Sequence, residues 1–254
     1  MSPPTDLSPF IARLSYIEVS RTFIRHRVPD GCYKLLVLIG EQDARTRSYL
    51  IPPSLEWQLA EIPGHTTILE ARFRWGAGKA FFGVTPDEFR SRMLEDYLVE
   101  GVSAVGRDWG YAVEQIGASA GKHARIELFT AALRQLAPPV SVIRPEVRMA
   151  AAMLERLRGD EGLDEVVNRS CLSASQLRRV FAKDLGISPK GMMRLSRLWT
   201  AMRCAVDEPG RPWWSIAAEC RMADTAHLVD EFKRFSGVTP NKWLSYLSGL
   251  PTTE

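Results

Sequence analysis

The spacing of apolar and polar residues changes along the chain from a period of two to the period of a helix. Apolar and charged residues alternate over 69–75, which predicts a strand with one apolar face. A short apolar run over 32–39 lies between two groups of turn-forming residues and predicts a second strand. Residues 49–51 and 56–62 predict two further strands with a weaker pattern. Together these segments predict a small antiparallel β-barrel or sheet.

A helical pattern follows this strand-rich part. Thr85, Pro86 and Glu88 supply an N-cap, a first-turn proline and a third-position glutamate, which together begin a helix. Apolar residues then recur at helical spacing over 124–136. Strands followed by helices predict an α+β layout for this half of the chain.

Prolines mark the most probable domain boundary. Pro138, Pro139 and Pro145 bracket a short segment, and adjacent prolines both stop a helix and stiffen the chain. Beyond this point the pattern is helical throughout. We therefore predict an α+β domain over residues 1–139, a linker over 140–147 and an all-α domain over 148–254.

The all-α half contains an internal repeat whose equivalent residues lie 51 positions apart. Each copy has an N-cap residue, two apolar residues four positions apart, a glycine, and then a Ser-Pro or Thr-Pro pair. The equivalent pairs are Ser173 and Asp224, Leu177 and Leu228, Phe181 and Phe232, Gly186 and Gly237, and Pro189 and Pro240. A short apolar helix precedes each copy, so the pattern is a helix-turn-helix motif present twice, over 163–187 and 213–238.

A single helix is predicted to join the two motifs. Apolar residues at helical spacing over 189–206 give this linker helix one stripe that can pack on both copies. The helices that follow Ser173 and Asp224 are the first and second recognition helices. Two such helices held about 34 Å apart can enter successive major grooves on one face of DNA.

Positive charge is concentrated in the first motif and the linker helix. The chain as a whole has a net charge of +3, yet residues 173–203 hold seven basic residues and one acidic residue. Residues 204–247 hold five basic and six acidic residues. Such a local excess indicates a polyanionic partner, although a solvated helix face has the same composition.

Residues 163–247 resemble the DNA-binding domain of AraC/XylS-type transcriptional regulators. The residues that carry the resemblance are Leu172, Ser173, Leu177, Phe181, 185–189, Arg194, Arg197, Leu198, Ile216, Ala217, Asp224, Phe232 and 237–240. Residues 29–32, 73–76 and 108–110 resemble, more loosely, the sensor domains of certain family members. The resemblance implies a regulator that binds double-stranded promoter DNA. It also implies an N-terminal domain that senses a small-molecule effector or forms a homodimer, and contact with RNA polymerase if the protein is an activator.

The helical period and the resemblance together predict the residues that face DNA. In the first motif Ser175, Arg178 and Arg179 are expected to read bases, and an arginine paired with guanine supplies roughly 1–3 kcal/mol of discrimination. Phosphate contacts, which add affinity but no sequence information, are expected from Lys183, Lys190 and Arg194. In the second motif the residues expected nearest the DNA are Thr225, Ala226, Asp230 and Lys233.

The second motif departs from the family pattern. Val229 and Asp230 stand at the positions of Arg178 and Arg179, and phosphates repel a carboxylate, although it can accept from cytosine. Arg221 stands where the family has a turn glycine, as does Cys171 in the first motif, and a side chain in a left-handed turn costs about 1 kcal/mol. We therefore expect the first motif to supply most of the affinity and specificity.

Other classes of protein receive little support from the sequence. The cysteines form no Cys-x-x-Cys pair, the histidines lack the spacing of zinc ligands, and no catalytic grouping is present, so we expect no metal, cofactor or enzymatic activity. The absence of a signal sequence and of a long apolar run favours a cytoplasmic protein that does not enter a membrane. The alternative is a ligand-binding or catalytic barrel whose helical domain mediates protein contacts, with weak or no DNA binding.

Overall fold

The computed structural model describes residues 1–42, 45–90, 99–149 and 172–247. Its N-terminal half is built on antiparallel strands. They are β1 Ile11–Val19, β2 Phe23–Arg27, β3 Lys34–Gly40, β4 Thr46–Ile51, β5 Gln58–Ile62, β6 Thr66–Phe73 and β7 Val99–Glu100. The predicted strands over 32–39 and 69–75 correspond to β3 and β6, which lie side by side in the sheet.

The strands form one open sheet and one separate ribbon. The sheet has the order β1-β6-β3-β4-β7, and β2 pairs with β5 alone. The sequence predicts either a barrel or a sheet. The described strands form open sheets and do not close into a barrel. Helices pack on the larger sheet, and they are α1 Ala77–Phe82, α2 Pro86–Arg90, α3 Gly101–Val105, α4 Arg107–Ala118 and α5 Lys122–Leu136. Helix α2 begins as predicted, because Glu88 Oε2 accepts hydrogen bonds from the backbone N–H and hydroxyl of Thr85 at 2.7 Å.

Among the described residues of the C-terminal half, every element of regular secondary structure is a helix. These elements are α6 Ala174–Val180, a π-helical turn over Phe181–Leu185, α7 Pro189–Asp207, α8 Trp213–Glu219, α9 Thr225–Ser236 and α10 Pro240–Leu247. The α+β domain followed by an all-α domain is as predicted. The short helix predicted at the start of the first motif, and Cys171 beside it, lie outside the described residues.

One hydrophobic core joins the two motifs through the linker helix α7. Leu177 of the first motif, Leu198 of the linker helix and Leu228 of the second motif are all at most 1% exposed and belong to the same cluster. Gly186 and Gly237 end the two recognition helices in left-handed conformations, with φ of 70° and 72°. These positions require glycine because a Cβ atom destabilises that backbone region.

The two halves are in contact through the loop between β2 and β3. The Pro29 carbonyl accepts a hydrogen bond from the Trp199 indole Nε1 of the linker helix at 2.8 Å. Next to it, the Asp30 carboxylate lies 2.7 Å from Arg72 Nε and 3.1 Å from Lys34 Nζ. Burial alone raises the pKa of Asp30, but Lys34 and Arg72 outweigh this effect and lower its pKa to about 2. The charged form of Asp30 therefore stabilises the loop that reaches the helical half.

This pKa predicts a pH-dependent stability. Because the folded pKa is below the unfolded value of 3.8, Asp30 stabilises the fold above about pH 4, and that contribution is lost as the pH falls towards 2. We expect Asp30→Asn to lower the free energy of unfolding by about 2 kcal/mol at pH 6 and to converge with the wild type near pH 2. Urea unfolding at a series of pH values measures this, with Asp6→Asn as an exposed control. Parallel curves for Asp30→Asn and wild type would contradict the assignment.

Candidate nucleic-acid interface

The first recognition helix, residues 174–185, starts at a reciprocal cap. Ser173 Oγ accepts from the backbone N–H of Gln176 at 3.2 Å, and Gln176 Oε1 accepts from the backbone N–H of Ser173 at 2.8 Å. Two N–H groups that the helix itself cannot pair are thereby satisfied. The predicted N-cap at Ser173 is confirmed, and the cap fixes where the helix begins.

The first recognition helix has one buried face and one cationic face. The buried face carries Leu177, Val180, Phe181 and Leu185, none of which is more than 5% exposed. The opposite face is exposed, and it carries Ser175, Arg178, Arg179, Ala182 and Lys183. These are the orientations that the helical period predicts. The arginine side chains can therefore reach a partner without rearrangement of the core.

An open cleft lies between the first recognition helix and the start of the linker helix. Its volume is about 430 Å³, and its lining residues are Arg178, Ala182, Gly186, Ile187, Ser188, Pro189 and Lys190. Lys190 is exposed on the first turn of the linker helix, whose N-cap Ser188 Oγ accepts from the Gly191 N–H at 3.1 Å. The cleft thus combines an apolar floor with two cations and the positive end of a helix dipole, a combination that suits a phosphate.

The second recognition helix, Thr225–Ser236, is also capped as predicted. Asp224 Oδ1 accepts from the His227 N–H at 2.8 Å, and His227 Nδ1 accepts from the Ala223 N–H at 3.3 Å. His227 therefore has a structural role in the turn. On the outer face, Ala226, Asp230 and Lys233 are exposed and Thr225 is half-buried. This face carries a carboxylate where the first recognition helix carries an arginine.

Comparison with known families agrees with this geometry in the C-terminal half. Residues 166–246 match the model of a family described as a helix-turn-helix domain. The C-terminal half therefore contains a helix-turn-helix domain. Residues 1–95 match the model of a domain of unknown function. No curated protein sequence matches the chain.

Solved structures of ToxT from Vibrio cholerae are similar to the chain at low identity. One, from strain O395, is 11% identical, covers 95% of this chain and 99% of its own, and has a TM-score of 0.46. Another, from strain SCE256 with a bound unsaturated fatty acid, is 10% identical, covers 96% and 97%, and has a TM-score of 0.45. At this level of similarity the bound fatty acid is a property of ToxT alone.

Arg194 of the helix-turn-helix domain has a partner within the protein. Its Nε donates to Glu231 Oε2 at 2.9 Å, its Nη2 donates to Glu231 Oε1, and its guanidinium lies 5.7 Å from the centre of the Phe235 ring. The sequence predicts Arg194 as a phosphate contact, whereas the structure uses it to join the linker helix to the second recognition helix. Glu231 stands at the position of the buried Val180 in the repeat, and a carboxylate at a core position is the signal that could have identified this pair.

The turn of the second motif has the strain that its sequence predicts. Arg221 adopts a φ of 51°, in the left-handed region that favours glycine. The motif keeps its form because Met222 is buried and its backbone N–H donates to the Ala217 carbonyl at 2.9 Å. The side chain of Arg221 therefore leaves the turn in place at a cost of about 1 kcal/mol.

The described residues contain neither a candidate metal cluster nor a helix that could span a membrane. Within them, no group of three or more His, Cys, Asp or Glu side chains could hold a metal ion. Across the same ranges, no helix combines the length and apolarity needed to cross a bilayer. Cys32, Cys204 and Cys220 are free and buried, and burial raises the pKa of the Cys32 thiol, which opposes thiolate chemistry there.

The Arg194–Glu231 pair predicts a characteristic pattern of stabilities. We expect Arg194→Leu to lower the free energy of unfolding by about 2 kcal/mol, because it leaves the buried Glu231 carboxylate without its cation. The double variant Arg194→Leu/Glu231→Leu should recover most of this loss, since it removes both charges. Urea unfolding of Arg194→Leu, Glu231→Leu and the double variant measures the difference, and Arg134→Leu, which breaks an exposed ion pair with Asp6, serves as a control with little effect. A double variant as unstable as the sum of the two single variants would contradict this account.

Proposed function

We propose that the chain is a sequence-specific DNA-binding transcriptional regulator of the AraC type. The observation that carries the proposal is the pair of capped recognition helices, which share one core through a single linker helix and expose their outer faces. This arrangement gives one chain two reading elements in a fixed relation, as a dimer of single helix-turn-helix motifs has.

The first motif is proposed to supply most of the specificity. Arg178 and Arg179 lie on the exposed face of the first recognition helix, where a guanidinium can donate two hydrogen bonds to guanine. Ser175 is exposed one turn earlier on the helix. Lys183 and Lys190 are proposed to contact phosphates, and Lys190 supports this because it lines the open cleft beside the first recognition helix.

The second motif is proposed to bind DNA more weakly. Asp230 is exposed at the position of Arg179 in the repeat, and its charge is unfavourable near phosphates. Lys233 lies one turn later and can offset part of this repulsion. Arg194, the remaining predicted phosphate contact, has its guanidinium bound to Glu231.

The N-terminal domain is proposed to make DNA binding responsive to a small molecule. The β2–β3 loop supports this, because the Pro29 carbonyl accepts a hydrogen bond from Trp199 of the linker helix and so connects the N-terminal domain to the helical half. A ligand that binds one position of this loop better than another shifts the population of the helical domain's arrangements. Homodimers and contact with RNA polymerase belong to the same proposal, through the family resemblance.

Selection of bound duplexes from a random pool tests the proposal and supplies the probe for variants. We expect the full-length chain to enrich a site with two half-sites about one helical turn apart. On that duplex, Arg178→Ala or Arg179→Ala should weaken binding by about 1–3 kcal/mol and relax the preference at one base pair. Arg13→Ala is the matched control, since Arg13 is exposed on β1 of the N-terminal domain.

Three outcomes would contradict the proposal. Equal losses on every sequence would make these arginines phosphate contacts without specificity. An affinity that does not change with salt would contradict groove binding altogether, because released counterions make the logarithm of affinity fall linearly with the logarithm of salt. The alternative, a ligand-binding or catalytic barrel with a protein-binding helical domain, predicts that no duplex is enriched.

A further inference from the structure

A buried carboxylate lies on the side of the first recognition helix that faces away from the cationic surface. Asp184, in the π-helical turn, is 4% exposed. Its Oδ1 lies 2.7 Å from Lys79 Nζ of α1, and its Oδ2 accepts from Arg144 Nη2 in the segment between the two halves. Both cations come from outside the helix-turn-helix domain, and the first recognition helix is thereby bound to the N-terminal domain.

The internal repeat shows that a helix-turn-helix motif does not itself need this carboxylate. The equivalent of Asp184 in the second motif is Phe235, which is buried in the core. One turn earlier the first motif has the apolar residue, Val180, and the second motif has the carboxylate, Glu231. Each recognition helix therefore has one buried carboxylate, but Glu231 is bound by Arg194 within the domain, whereas Asp184 is bound by groups outside it.

Residues near Asp184 on the first recognition helix also make apolar contacts with the N-terminal half. Val180 belongs to the hydrophobic core of the N-terminal half, and Gly186 lies so close to Pro86 of the N-terminal domain that no Cβ atom would fit. At Gly76, just before α1, a Cβ atom would collide with Val147 in the segment between the two halves. The contact at Asp184 is therefore part of a packed interface, where removal of a charge is costlier than at an exposed ion pair.

We propose that Asp184 is a positioning residue through which the N-terminal domain sets the placement of the first recognition helix on DNA. The DNA part of this inference rests on the proposed function. Movement of α1 or of Arg144 displaces the carboxylate, and with it the helix whose opposite face carries Arg178. The N-terminal domain thus acts on the specific motif directly, through Lys79 and Arg144.

A double-mutant cycle across the first recognition helix tests this role. The probe is the duplex that the wild-type chain selects from a random pool, and the full-length chain is used throughout. We expect Asp184→Asn to weaken binding about tenfold, and the loss caused by Arg178→Ala to be several-fold smaller in the Asp184→Asn background. With Lys233→Ala, on the second recognition helix, the effects of Asp184→Asn should be independent. A loss of stability alone would not produce this selectivity.

A second variant, a control variant and a measurement without DNA complete the test. Lys79→Met should reproduce the coupling with Arg178→Ala if Asp184→Asn does not fold, because Lys79 is partly exposed on α1. Asp6→Asn makes the same chemical change at an exposed ion pair with Arg134, and it should leave the affinity for the duplex unchanged. Without DNA, the thermal unfolding midpoints of Lys79→Met, Asp184→Asn and the double variant should be non-additive, which supports the contact in solution.

The outcomes separate this inference from the proposed function. A wild-type chain that enriches no duplex contradicts the proposed function, and the thermal cycle still reports whether the Lys79–Asp184 contact exists. A wild-type chain that binds its duplex while Asp184→Asn and Arg178→Ala act independently overturns the positioning role alone. Additive thermal effects of Lys79→Met and Asp184→Asn overturn it as well.

Discussion

The geometry of the helical half depends on one hydrophobic core that both motifs share with the linker helix. Leu177, Leu198 and Leu228 come from the first motif, the linker helix and the second motif, and all three are buried in the same cluster. Neither recognition helix can rotate about its axis without exposing these side chains. A fixed relation between two outward-facing surfaces therefore follows from apolar burial, before any charged residue is considered.

Charge then distinguishes the two motifs. The exposed face of the first recognition helix carries Arg178 and Arg179, whereas Asp230 occupies the equivalent face of the second. On the buried side, Asp184 stands where the second motif has Phe235, and Glu231 stands where the first motif has Val180. Each of these carboxylates is paired with at least one cation. The buried carboxylate thus binds the first motif to the N-terminal domain and the second motif to the linker helix, although the two motifs have the same backbone plan.

The sequence predicted the features that depend on local chemistry. The caps at Ser173 and Asp224, the left-handed glycines and the linker helix are confirmed, because each depends on a few neighbouring residues. Strand β1 was not predicted, since three consecutive residues from Leu14 to Tyr16 are buried and a register shift follows Ile11, so the pattern does not alternate.

The ion pairs that hold the recognition helices in place could not be predicted from the pattern of apolar and polar residues alone. Lys79 and Asp184 are 105 residues apart in sequence, and nothing local relates them. The sequence pattern predicts Arg194 as an exposed cation of the linker helix. In the structure its guanidinium instead binds Glu231, which lies on the second recognition helix. The exposed face of the first recognition helix could be predicted because helical period and burial agree there, and this face carries the predicted DNA contacts Ser175, Arg178, Arg179 and Lys183.

Protection of guanine N7 from methylation, measured on the selected duplex, tests the central claim most directly. Two recognition helices of unequal strength predict two protected groups of guanines about one helical turn apart on one face, with the stronger protection in one half-site. Substitution of Arg178 should abolish protection in that half-site alone. Uniform protection along the duplex, or none in either half-site, would contradict the account.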